Sequence, residues 1–172
     1  MTTSEPIEST RLRYDPLTIE QGNAFTRGDR EGQPWAPDFP TDGDLRQADI
    51  LRIKPDRVVS PSNVWGPYTL IEKTTGLCVG GIGFKGGPTG DHVVEIGYGI
   101  CTSRQGQGLM TEAVERLCDL ARVNGVLRVT AETDAANIAS QRVLEKAGFT
   151  RDSAESGSIW WHRQLRNDDL TR

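Results

Sequence analysis

The run Ile100–Thr111, I-C-T-S-R-Q-G-Q-G-L-M-T, is where this sequence shows chemistry. It leaves an apolar strand-like stretch, passes two glycines one residue apart, Gly106 and Gly108, and enters a helix-like stretch. The first turn of a helix carries backbone N–H groups with no internal partner, and the helix dipole adds partial positive charge there. Glycines let the chain turn tightly and let an anion approach the main chain. Such a turn is a phosphate cradle, with Arg104 as a cation at its mouth. It is neither a Walker loop nor a full G-x-G-x-x-G fingerprint, because no third glycine and no Lys-Ser pair follows. On this motif alone, a plain turn is the alternative. Just upstream, V-V-E-I-G-Y-G-I alternates so that Glu95, Gly97 and Gly99 share one face and Val94, Ile96, Tyr98 and Ile100 the other. A carboxylate beside two glycines has open space in front of it. Glu95 is therefore a candidate base, against the alternative of a solvated strand glutamate, and Tyr98 is expected to pack in the core.

These residues need elements to hold them. Arg11–Leu17 reads as a strand that Pro16 confines to an edge or an end. Thr18 with Gln21 makes a capping box for a helix from Ile19. Glycines and prolines from Gly28 to Gly43 deny that stretch a long helix or a central strand. A second helix is expected from Asp44 to about Lys54, with Leu45, Ala48 and Leu51 on one side and Pro55 as its stop. Val64–Lys73, Cys78–Lys85 and His92–Ile100 read as strands joined by glycine turns, which argues antiparallel pairing. Met110, Ala113, Val114, Leu117 and Ala121 fall on one face of a helix over Gln107–Val123. Leu127–Thr133 is a strand, Asn137–Ala147 a helix ended by Gly148, and Phe149–Asp152 with Ile159–Leu165 a last strand pair. The order βααβββαβαββ predicts an α/β (α+β) domain with a mixed, mostly antiparallel sheet and helices on both faces. One domain over 10–166 is expected, with 1–9 and 167–172 as flexible termini.

The composition narrows the rest. The chain has 172 residues, 35% hydrophobic and 26% charged, with a net charge of -4. That length suits one domain with its own core. An acidic chain without a basic stripe argues against a nucleic-acid partner, and no stretch is apolar enough to span a membrane. The start has no signal-peptide pattern, which points to the cytoplasm. Cys78, Cys101 and Cys118 are odd in number and far apart, so buried reduced thiols are expected. With only His92 and His162 beside them, no metal site is expected.

Four stretches together resemble the GNAT N-acetyltransferase superfamily, and most closely its RimJ/RimL-like branch of ribosomal-protein acetyltransferases. They are the T-R-L-R opening at Thr10–Arg13, the V-E-I-G-Y-G-I strand at Val94–Ile100, the R-Q-G-Q-G-L-M-T-E-A run at Arg104–Ala113 and the N-x-x-S-x-x-V-L-E-K-x-G-F run at Asn137–Phe149. They occur in family order over about Thr10 to Leu165. The resemblance implies acetyl-CoA as cofactor. The backbone at Ile100, Cys101 and Thr102 would pair with the pantetheine arm. The amides from Gln105 through Gly106, Gln107, Gly108 and Leu109 to Met110 would take the pyrophosphate, with Arg104 and Thr111 close by. Asn137 would bond the pantetheine amides, or simply cap its own helix, and Ser140 would reach the thioester sulfur, or simply lie on the helix surface. The family's pattern has Gln or Arg where this chain has Ser103. The tyrosine that many members use as an acid falls at Leu144, which cannot donate a proton. The acceptor would lie between the N-terminal helices and the last strand pair, near Trp35, Asp38, Phe39, Asp42, Asp44 and Ser158–His162, with Glu95 facing it. Acids beside an aromatic suit a cationic amine. The expected activity is acetyl transfer to a primary amine of a small molecule in a ternary complex. The alternatives are a protein N-terminus as acceptor or a non-catalytic CoA sensor, and a homodimer is compatible with the resemblance.

Overall fold

A computed structural model describes residues 6–30 and 32–165. Its elements are β1 (Ile7–Glu8), β2 (Leu12–Pro16), α1 (Ile19–Arg27), α2 (Asp42–Ile53), β3 (Pro67–Glu72), β4 (Cys78–Phe84), β5 (Val93–Ile100), α3 (Leu109–Val123), β6 (Arg128–Asp134), α4 (Ile138–Lys146), β7 (Thr150–Glu155) and β8 (Ser158–Gln164). The strands form one eight-stranded sheet in the order β1-β2-β3-β4-β5-β6-β8-β7. Among the described strands only β5 and β6 pair in parallel; α3 is the crossover between them. The expected mixed, mostly antiparallel architecture is the observed one. The termini expected to be flexible lie outside the described residues, save for 6–9, where Ile7–Glu8 adds a strand that the expected order lacks.

Local chemistry sets the element ends. Thr18 and Gln21 make the capping box of α1, and Gly28 ends it in the left-handed region. The second helix starts earlier than expected, because Thr41 caps it and Asp44 closes a second box as N3 rather than leading the helix. Met110, Ala113, Val114, Leu117 and Ala121 of α3 are all buried, as their spacing predicts. Their packing, with Val94, Ile96, Val129, Ala131 and Leu144, forms the core under one sheet face. Each of the larger of these side chains contributes about 1.5–3 kcal/mol on leaving water.

On the opposite face, α1 and α2 cover the β3–β4 half of the sheet. Gly81 of β4 makes this possible, since a Cβ there would lie 2.5 Å from Asp44 Oδ1. The tip of α2 thereby comes down against the middle of the sheet. The irregular stretch ahead of it is held by an aromatic cluster: Phe25, Trp35 and Phe39 meet edge to face at 5.0–5.5 Å between ring centroids.

The sheet also splits. β5 pairs with β4 as far as Ile100↔Gly80, but with β6 only from Val93↔Arg128 to Ile96↔Ala131. From Gly97 onward the β6-facing edge of β5 has no strand partner, so the two strands diverge into a V.

Candidate active site

A cavity of about 730 Å³ opens at that V. Its walls are the end of β5 (Tyr98, Gly99, Ile100), the turn into α3, the first half of α4 and the tip of α2.

The turn itself is the first feature to settle. Gly106 (φ 73°) and Gly108 (φ 76°) both sit in the left-handed region, where a side chain is strained. The chain tightens into a short 3-10 turn at Thr102–Arg104 and then swings into α3 with Gly108 as its cap. Among the described residues, the N–H groups of Gly106, Gln107, Gly108, Leu109, Met110 and Thr111 have no partner within the protein. The N–H of Gln105 differs from the expectation: it donates to Thr102 O at 3.2 Å and is tied up by the 3-10 turn. Arg104 lines the cavity while its Nε donates to Glu72 Oε2 at 3.2 Å.

Other residues place this turn. Arg11 of the opening motif donates from Nη1 to Gln107 O at 2.8 Å and from Nε to Glu112 Oε2 at 2.7 Å. Glu112 also accepts from Ser9 Oγ and from the Arg11 N–H. Burial pushes the Glu112 carboxyl up, but these donors together hold it below its ordinary value. The turn is thus pinned from the far end of the chain. The departure at Ser103 has its own consequence. Ser103 donates from N and Oγ to the two oxygens of Asp38 at 2.9 and 2.6 Å. The Ser103 hydroxyl and N–H hold the Asp38 carboxyl below the usual range. Asp38 therefore lines the cavity, yet its oxygens are engaged by the turn.

On α4, Asn137 lines the cavity and caps the helix through Oδ1, which accepts the Ser140 N–H at 3.1 Å. Both of its expected roles are compatible. Ser140 lines the cavity and donates to the hydroxyl of Tyr98 at 2.9 Å. The expectation for Tyr98 holds for its ring, which is partly buried against the core, while its hydroxyl reaches across the V to α4 and the residue lines the cavity. Strand alternation puts Tyr98 on the α3/α4 side, where the cavity replaces core.

Of the remaining expected coenzyme contacts, Ile100, Thr102, Leu109, Met110 and Thr111 line the cavity. Cys101 does not: it is buried, and burial pushes its thiol up to about 12. Gln107 lies outside the wall, its side chain donating to Ser103 O at 3.4 Å.

The expected acceptor contacts fare differently. Trp35 and Phe39 are 7% and 3% exposed and belong to the aromatic cluster, not to the cavity wall. The physical reason is that a segment without regular hydrogen bonding needs apolar anchors to stay folded, and these rings are its anchors. Asp44 is buried, accepts from the Thr41 N–H and hydroxyl, and burial raises its carboxyl above the ordinary range. Glu95 lies on the same face as Gly97 and Gly99, as alternation predicts, but outside the cavity wall and ion-paired with Lys85. His162 pairs through Nδ1 with Asp152 at 2.6 Å on the same face, farther along the sheet.

Residues missed in the sequence include Arg46, Arg142 and Lys146, which add three cations to the wall. Arg142 and Lys146 stand four apart on α4, a helical spacing that marks one face. Arg46 carries no local signal, whereas Thr41 with Asp44 three residues on is a capping-box pattern that the expected helix start passed over.

An amide-lined turn, an unpaired strand edge and a cationic wall fit a long diphosphate thioester such as acetyl-CoA. Comparison with known proteins agrees. Residues 11–150 match the family described as "Acetyltransferase (GNAT) domain". The N-acetyltransferase YjdG of Bacillus subtilis (strain 168) is 28% identical over 149 residues, which are 83% of this chain and 88% of that one. A Salmonella typhimurium acetyl transferase described as modifying the N-terminal serine of ribosomal protein L7/L12 shares the fold at TM-score 0.70 and 18% identity, over 94% of this chain and 100% of that one. RimJ of Mycobacterium smegmatis, solved with CoA-disulfide, does so at TM-score 0.63 and 19% identity, over 94% and 84%. The chain belongs to the GNAT family of N-acetyltransferases, which use acetyl-CoA.

Proposed function

We propose that this enzyme transfers acetyl directly from acetyl-CoA to a primary amine of a small cationic molecule, with both substrates bound at once. The observation that carries this is a single cavity lined both by Gly106, Gly108, Leu109, Met110 and Thr111, whose amides have no partner within the protein, and by Tyr98, Gly99 and Ser140. No cysteine or histidine lines it, so no activated nucleophile stands ready to carry the acetyl group. The thioester supplies the electrophile. The chain supplies position, charge and proton transfer.

In this reading the pyrophosphate takes the amides of Gly106, Gln107, Gly108, Leu109 and Met110, with Arg104 and Thr111 beside it. The pantetheine arm completes the free edge of β5 from Gly97 to Ile100 and bonds the Asn137 amide. A main-chain N–H on that edge donates to the developing oxyanion. Ser140 Oγ gives the departing sulfur its proton. Glu95 takes the proton of the attacking amine. A strand rises about 3.4 Å per residue, so Glu95 stands about 7 Å from Gly97 and about 14 Å from Gly99. Direct transfer needs about 2.6–3.2 Å, so the proton travels through water along the glycine face.

The acceptor approaches over the open half of the sheet, where Glu95, Glu132 and Asp134 sit on one face with Asp42 at the rim. That acidity suits an ammonium ion. The three buried free thiols suit a reducing compartment, and we place the enzyme in the cytoplasm. A second reading, a protein N-terminus as acceptor, is favoured by the fold shared with the enzyme acting on L7/L12. A CoA-thiol release assay over polyamines, amino sugars and peptides beginning with serine or alanine separates the two. Turnover confined to peptides would replace the small-molecule reading.

A further inference from the structure

Tyr98 and Ser140 face each other across the V, from β5 and α4. Two hydroxyl hydrogens serve three oxygens there. The Ser140 hydroxyl donates to Tyr98 Oη at 2.9 Å, and the Tyr98 hydroxyl donates to the main-chain oxygen of Ser140 at 3.2 Å. Both side chains line the cavity. Leu144, one helical turn further on and fully buried, offers no proton.

We propose that Tyr98 is a positioning residue that acts through Ser140, holding its hydroxyl at the cavity and turning to donate to it when the sulfur departs. This rests on the reading of Ser140 as proton donor. Both oxygens that the Tyr98 hydrogen can choose lie within hydrogen-bond reach, so a rotation about one C–O bond moves it from the carbonyl to Ser140 Oγ. The Ser140 hydrogen is thereby released toward the sulfur. The C–N bond forms as the amine attacks, and the C–S bond breaks with its electron pair on sulfur. Sulfur takes the Ser140 proton. The amine sheds two protons: the first passes through water to Glu95 before attack, and the second, lost from nitrogen once the C–N bond has formed, passes through water to Ser140 Oγ. Donation from Tyr98 stabilises the negative charge that builds on Oγ in between, where a charge-assisted bond is worth more than a neutral one. Burial pushes the Tyr98 hydroxyl up to about 12, so it keeps its hydrogen throughout the neutral range.

The test is a double-mutant cycle with Y98F, S140A and the pair. Phenylalanine keeps the ring in place, and thermal melting confirms that each variant folds. The expected result is a kcat lower by about tenfold in Y98F, the scale of one charge-assisted hydrogen bond, with KM for acetyl-CoA unchanged. In the S140A background the same substitution then has no further effect. Equal losses in both backgrounds, or an unchanged kcat in Y98F beside a slow S140A, overturn the role of Tyr98. An unchanged kcat in S140A overturns the reading of Ser140 itself, and the inference with it.

Discussion

The two ends of the cavity are built on different principles. The end proposed for the coenzyme is main chain: six consecutive amides at Gly106–Thr111 and a free strand edge, presented by a turn whose shape two glycines dictate. The end proposed for the acceptor is side chain, drawn from α2, from the stretch ahead of it and from an open sheet face. A diphosphate arm is the same for every enzyme that uses it, and backbone suffices to grip it. An acceptor differs between enzymes, and only side chains on separate elements can be exchanged without disturbing the turn. Asp38 joins the two ends. It belongs to the acceptor-side loop but spends both oxygens on Ser103 of the turn.

The sharpest way to break this contrast is Gly108→Val. A β-branched residue at φ 76° is strained, and the new Cβ lies 3.5 Å from Arg11 Nη2. Acetyl-CoA affinity should fall by about a hundredfold or more, equal to about 2.7 kcal/mol, while melting shows a folded protein. Titration calorimetry with acetyl-CoA reads this; unchanged affinity would mean the amides are not the grip.

Glu95→Gln addresses the other end. A general base contributes about 10²–10⁴-fold, so kcat should drop by about a hundredfold with acetyl-CoA affinity within about twofold. If turnover survives, Glu95 is a strand glutamate paired with Lys85 and nothing more.

Phe39→Ala sharpens the division between acceptor contact and scaffold. This ring is 3% exposed in the aromatic cluster, and its loss should lower unfolding stability by about 3–5 kcal/mol, measured by urea denaturation. A variant of native stability with a raised acceptor KM would return Phe39 to the acceptor site.

The smallest effect is expected from Glu112→Gln. The donors around Glu112 hold its folded-state carboxyl below the ordinary value of 4.5. A depressed carboxyl contributes stability above the unfolded value and loses it as pH falls through the folded one. Wild type should therefore be more stable than E112Q at pH 7, and the gap should close in acid below 4.5. Parallel stability curves at all pH values would show that the Arg11–Glu112 tie carries no charge contribution.

Much of this was legible in the chain itself. Capping boxes, the apolar stripe of α3 and the Gly106–Gly108 turn are local, because each depends on residues within a turn or two of one another. Strand alternation on β5 correctly placed Glu95 with the two glycines. It also sent Tyr98 toward the core, against which its ring packs, but gave no sign that its hydroxyl meets Ser140 at the cavity. Period two tells which face a side chain takes, not whether that face is core or cavity. Trp35 and Phe39 misled for a related reason, since aromatics in an irregular segment look the same in sequence whether they anchor it or await a ligand.

Sequence alone determined most of the elements, the turn and the class of anion it suits, since backbone conformation and helix ends answer to neighbours in the chain. Tertiary structure alone decided the V between β5 and β6, the meeting of Tyr98 with Ser140, the capture of Asp38 by Ser103 and the pinning of the turn by Arg11. Each joins residues dozens of positions apart, and only the register of the sheet and the packing of helices on it bring such partners within hydrogen-bond reach.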